Sequence, residues 1–107
     1  MTDSSISKFF EKTLKERLSA VADFSDLSPD ELKIIEDATG GISFEKADNM
    51  IENAIGTFSL PLGIATNFRI NGKDYLIPMV IEEPSVIAAS SKAAKTARIH
   101  DGFKAEA

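Results

Sequence analysis

Residues 79–86, MVIEEPSV, carry two carboxylates, Glu82 and Glu83, to the end of an apolar run, and Pro84 and Ser85 follow at once. A carboxyl held away from water keeps its proton toward neutral pH and can act as a general acid. A serine in the first turn of a helix can offer a hydroxyl and an amide to an anionic ligand. The bland readings are equally concrete. A glutamate before a helix is a favourable charge at the positive end of the helix dipole, and a serine there is an ordinary helix-start residue. Burial would raise the Glu83 pKa and the dipole would lower it, so residue types alone leave the balance open. The rest of the chain offers little else for chemistry. It has no cysteine, hence no thiolate nucleophile and no disulfide framework. Its one histidine, His100, reads as an exposed helix-end residue, and a multi-histidine zinc site is excluded. No metal site is expected.

These residues need elements to position them. Ile6, Phe10, Leu14, Leu18 and Val21 recur at helical spacing, so a first helix is expected from about Ile6 to Phe24. DLSPDELKII starts a second, with Ser28 as N-cap, Pro29 at the first helical position and Glu31 completing a capping box. It should stop at Gly40–Gly41. A third is expected from the Ser43 cap to Gly56, burying Phe44, Ala47, Met50, Ile51 and Ala54.

The period then changes. Residues 58–81 read as strand, turn, strand, with Asn71–Gly72 as a two-residue hairpin turn. That turn pairs Ile70 with Lys73, Arg69 with Asp74 and Phe68 with Tyr75. Continued without a break, it pairs Thr66 with Ile77, Ile64 with Met79 and Leu62 with Ile81. Strand parity then puts Glu83 on the apolar row with Tyr75, Ile77, Met79 and Ile81, and Glu82 on the more polar face. An alanine-rich helix follows from Pro84 to about Ile99, with Ser85, Ala89, Ala93 and Ala97 as a small-residue row. HDGFKAEA reads as a frayed exit. The fold class is α+β: N-terminal helices, a β-hairpin at about 58–81 and a C-terminal alanine-rich helix.

At 107 residues the chain is one small unit, and 43% hydrophobic with 27% charged residues is ordinary for a globular protein. A net charge of −5 argues against nucleic acid and against an anionic membrane surface as partners. The polar N-terminus lacks a signal-peptide pattern and no apolar run approaches the ~18 residues of a membrane span, so a cytoplasmic protein is the expectation.

The wording of residues 50–95 carries more than their periodicity. ENAIG at 52–56, LPLGIATNF at 60–68, INGKDYLIPM at 70–79 and EEPSV at 82–86 together resemble the N-terminal part of a class II hydroxymethylglutaryl-coenzyme A (HMG-CoA) reductase. FFEKTLKERL and LSPDEL match more loosely. The resemblance implies an oxidoreductase that uses NAD or NADP to interconvert HMG-CoA with mevalonate plus CoA, a four-electron reduction. It places the family's catalytic glutamate on Glu83, as proton donor to the oxygens of the mevaldyl intermediates. It places a contact to the hydroxymethylglutaryl carboxylate on Ser85. ENAIG and LPLGIA fall in regions that shape the CoA site and the subunit contact of a dimer-based homo-oligomer.

Residues 1–107 correspond on this resemblance to the first segment of the large, substrate-binding domain. The inserted cofactor-binding domain, the remainder of the large domain, and the family's catalytic lysine, aspartate and histidine have no counterpart. The expectation is a chain inactive by itself. The alternative is a non-catalytic dimerisation or CoA-binding module.

Overall fold

The computed structural model describes residues 3–36 and 41–107. A single 3-10 turn at Phe9–Glu11 precedes helices α1 (Leu14–Ser25), α2 (Pro29–Glu36) and α3 (Phe44–Met50); strands β1 (Leu62–Ile70) and β2 (Lys73–Val80) form an antiparallel hairpin, and helix α4 (Val86–Arg98) follows. The α+β class is as expected. α4 packs on β1, while α1 and α2 pack on each other as an arm. The radius of gyration is 16.5 Å. A compact domain of this length would show about 13 Å, so the arm stands away from the hairpin and α4. An open cleft of about 1270 Å³ lies between them, lined by Phe9, Leu14, Leu18 and Val21 on one side and Ile64 and Ile87 on the other.

The first helix starts eight residues later than Ile6. Ser4 is wholly buried and held against β1, its carbonyl accepting the Asn67 N–H at 2.9 Å. A residue committed to strand-like pairing cannot also enter a helix. Lys8 then sits in the left-handed region at φ 53°, and Thr13 starts α1 with a capping box to Glu16. Thr13-x-x-Glu16 was legible as a helix start and outcompetes the apolar spacing upstream. α2 begins as expected, with the Ser28 hydroxyl accepting the Glu31 N–H at 3.3 Å and the Glu31 carboxylate accepting the Ser28 N–H at 2.8 Å. The expected stop at Gly40–Gly41 involves a residue outside those described. α3 has its Ser43 cap but ends at Met50, because Ile51 is extended and Asn53 left-handed. Of the stripe expected to be buried, Ala47 is buried, whereas Phe44, Met50 and Ile51 are exposed. Short helices owe their stability to a buried face, and beyond Ala47 these residues bury little.

The hairpin register is correct near the turn and shifted beyond it. Asn71 and Gly72, both at positive φ, make the turn, and Ile70–Lys73, Arg69–Asp74 and Phe68–Tyr75 pair as expected. A β-bulge then sets two residues of β1, Thr66 and Asn67, against one of β2. Ala65 therefore pairs with Ile77, Gly63 with Met79 and Leu62 with Val80. The uninterrupted register was wrong because Thr66–Asn67 breaks the alternation, and Asn67 tolerates the left-handed φ of 69° the bulge imposes. The shift turns Ala65 to full burial while Leu62 is exposed.

α4 runs from Val86, so Pro84 is not its first residue. Its packed row is Ile87, Ser91, Ala94 and Arg98; of the expected small-residue row, Ser85, Ala89 and Ala93 face solvent. Ala94 and Ala65 are both buried, and their size lets helix and strand approach closely. The C-terminal residues are not frayed. Gly102 turns the chain at φ 80°, where a side chain would run into the Arg69 carbonyl. Phe103 then donates to the Arg69 carbonyl at 2.8 Å, accepts the Asn71 N–H at 2.9 Å, and stacks on Phe68 at 5.6 Å. The outer edge of β1 has free backbone groups, and this segment satisfies them.

Candidate active-site segment

The Glu82–Ser85 turn links β2 to α4. Its entry is fixed by the Ile81 N–H, which donates to the Pro61 carbonyl at 3.3 Å. Its exit is Ser85, left-handed at φ 78°, whose carbonyl accepts the Ala89 N–H at 2.8 Å to open the helix. The Ser85 hydroxyl makes no capping bond. Glu82 and Glu83 are both exposed. Parity had put Glu83 on the desolvated row. The chain leaves β2 after Val80 and bends through 82–85, so parity no longer applies to it. Glu83 stands in solvent with no bond to another described residue. Neither Glu83 nor Ser85 lines the large cleft between arm and body.

A denser polar cluster lies at the opposite end of α4. The Asp74 side chain, 6% exposed, accepts from Arg98 at 2.7 Å and from Arg69 at 3.0 Å. It also accepts from the Ser4 N–H at 2.9 Å, and the Ser4 hydroxyl donates to the Phe68 carbonyl. Arg98 reaches on to Asp3 and Arg69 to Asp101, both at 2.9 Å. Burial pushes the Asp74 carboxyl up, but the hydrogen bonds from Arg98, Ser4 and Arg69 outweigh it and hold the group well below the usual carboxylate range. Both guanidinium groups are spent on carboxylates, and no buried side-chain polar atom among the described residues lacks a partner. The cluster is a structural clamp. Sequence showed the Arg69–Asp74 pair through the turn; Arg98 and Ser4 lie too far along the chain for any local signal.

The described residues contain no group of three or more His, Cys, Asp or Glu placed to hold a metal ion, and no helix long and apolar enough to cross a membrane. The turn from β2 into α4 carries two exposed carboxylates, Glu82 and Glu83, whose charge opposes a cofactor pyrophosphate at that helix start.

The family model described as hydroxymethylglutaryl-coenzyme A reductase matches residues 13–107. The chain belongs to the HMG-CoA reductase family. It is 57% identical over 100 residues to the 3-hydroxy-3-methylglutaryl-coenzyme A reductase of Archaeoglobus fulgidus, covering 94% of this chain and 22% of that protein. It is also 57% identical over 47 residues to a probable reductase of Borreliella burgdorferi, covering 44% of this chain and 11% of that one. In structure it resembles the class II HMG-CoA reductase of Streptococcus pneumoniae bound to NADPH in open conformations. That match has a TM-score of 0.83 at 38% identity, over 94% of this chain and 27% of that one. The chain thus spans less than a third of the length of each of these HMG-CoA reductases. The span matched by the family model, residues 13–107, contains the exposed turn at the head of α4.

Proposed function

We propose that residues 1–107 are the first segment of the large, substrate-binding domain of an HMG-CoA reductase and supply Glu83 and Ser85 to its active site. The observation that carries this reading is the state of the EEPSV turn. The turn leaves Glu83 and Ser85 exposed at the head of α4, and the Ser85 hydroxyl makes no capping bond. Reduction of the HMG-CoA thioester to mevalonate and CoA consumes two hydrides, one from each of two NAD(P)H, and two protons. Glu83 delivers a proton to the oxygen that gains electron density, and Ser85 holds the hydroxymethylglutaryl carboxylate. The nicotinamide is bound outside these residues. A proton donor of this kind works shielded from water, so its cover comes from substrate and from protein beyond residues 1–107. The reading includes a cytoplasmic enzyme and a dimer-based active unit, the latter supported by the exposure of Ile55 (99%), within ENAIG, and of Phe58 (89%) just after it.

The test has two arms. The purified 107-residue chain should not oxidise NADH or NADPH in the presence of HMG-CoA. In a reductase polypeptide that contains these residues, Glu83→Gln should lower kcat by at least ~100-fold while HMG-CoA still binds. Turnover by the short chain, or an unchanged kcat in Glu83→Gln, overturns the reading. The same exposed Ile55 and Phe58 favour a second reading, a non-catalytic dimerisation or CoA-binding module. That reading predicts association or CoA binding by the short chain and no loss from Glu83→Gln.

A further inference from the structure

The Glu83–Ser85 turn makes few contacts of its own, so its position is inherited from the seating of α4. The seat is the β-bulge. Thr66, an extra residue in β1, donates its N–H to the Ser91 hydroxyl at 3.0 Å, and that hydroxyl donates in turn to the Ile87 carbonyl at 2.9 Å. The Asn67 amide nitrogen donates to the Ser91 carbonyl at 3.2 Å and to the Thr66 hydroxyl at 3.1 Å. One turn earlier in α4, the Ile87 side chain lies over Gly63, where an added Cβ would stand 2.5 Å from Ile87 Cδ1. Ser91 is therefore gripped from both bulge residues, about 9 Å along the helix axis from Ser85. Regular pairing would have spent the Thr66 N–H on β2; the bulge frees it for the helix.

We infer that Ser91, seated on the Thr66–Asn67 bulge, is a positioning residue that fixes where α4 presents Glu83 and Ser85. Its catalytic consequence rests on the function proposed above; the seat itself does not. Amide hydrogen exchange on the 107-residue chain tests the seat. Ser91→Ala should speed exchange about tenfold at Thr66 and also at Ala89, whose N–H bonds Ser85. The Gly102 N–H, bonded to Ala97 at the far end of α4, should hold its rate. Ser91→Thr should restore protection, and Ser90→Ala should leave all three amides unchanged. Ala89 unaffected while Thr66 accelerates overturns the inference, as does equal acceleration of Ala89 and Gly102, which reports general destabilisation. In a reductase polypeptide that contains these residues, Ser91→Ala should lower kcat about tenfold at constant KM, with recovery in Ser91→Thr. A KM effect without a kcat effect overturns the catalytic consequence. Failure of Glu83→Gln to lower kcat would remove the proposed role of the turn and leave the exchange result standing.

Discussion

Arg98 donates to Asp74 across 2.7 Å, fastening the last turn of α4 to the strand beside the hairpin turn. Ser4, wholly buried, bonds the same carboxylate, so the N-terminal segment, the hairpin and the helix end meet on one side chain. In the first half of α4, Ser91 is bonded to the bulge and Ile87 packs over Gly63. The turn bearing Glu83 is thus carried on a helix secured at two places.

Replacing Arg98 with Met should destabilise the chain by about 2 kcal/mol. The loss is that of a charge-assisted bond to a buried carboxylate left short of a partner, and Arg98 itself keeps some contact with water. Urea midpoints at pH 7 check this, and a change within error contradicts it.

Acid should weaken the same clamp. A carboxyl depressed in the folded state contributes stability above its unfolded pKa and loses that contribution as pH falls through the folded value. Asp74 is such a group. Stability of the wild type should decline from about pH 5 downward. In Asp74→Asn the decline should be shallower. The remainder comes from the other lowered carboxyls: Asp3, chiefly through hydrogen bonds from Ser5, Asp101, chiefly through Lys104 and Arg69, and Glu16 and Glu31, through hydrogen bonds from Thr13 and Ser28. Parallel curves for the two proteins would contradict the assignment.

Gly102→Ala should release the C-terminal segment. The substitution combines a left-handed φ with a clash against the Arg69 carbonyl, a strain of roughly 1–3 kcal/mol. Loss of the Phe68–Phe103 ring contact in NMR spectra, with faster carboxypeptidase trimming, is the expected result.

Thr13→Ala and Ser28→Ala each remove an N-cap that takes part in a reciprocal bond with the glutamate three residues on. Each should cost about 1 kcal/mol of helix stability and reduce ellipticity at 222 nm. Because the arm stands apart from the body, thermal melting of the hairpin should stay within error.

The exposed apolar residues after α3 should make the isolated chain associate. Ile55→Lys with Phe58→Lys should reduce the apparent mass in light scattering and the binding of a dye for apolar surface. A wild-type chain that is monomeric at high concentration would contradict this.

Sequence alone carried the features whose cause is local. Asn71–Gly72 dictates a tight turn because both residues tolerate positive φ. That turn fixes the three pairs nearest it, and Ser28, Ser43 and their followers start helices through bonds three residues long. The EEPSV wording carried the family resemblance and pointed to Glu83 and Ser85. The tertiary structure decided what depends on distant partners. Apolar spacing from Ile6 onward promised a helix, but pairing of Ser4 with Asn67 forbids one there. Parity placed Glu83 in a buried row, but the end of β2 at Val80 and the bend through 82–85 remove it from that row. Arg98 looked like a cation at a helix C-terminus and is instead spent on Asp74, 24 residues away. A local pattern states what a segment can bury or bond. Which of those possibilities is realised depends on the surface that folding brings against it.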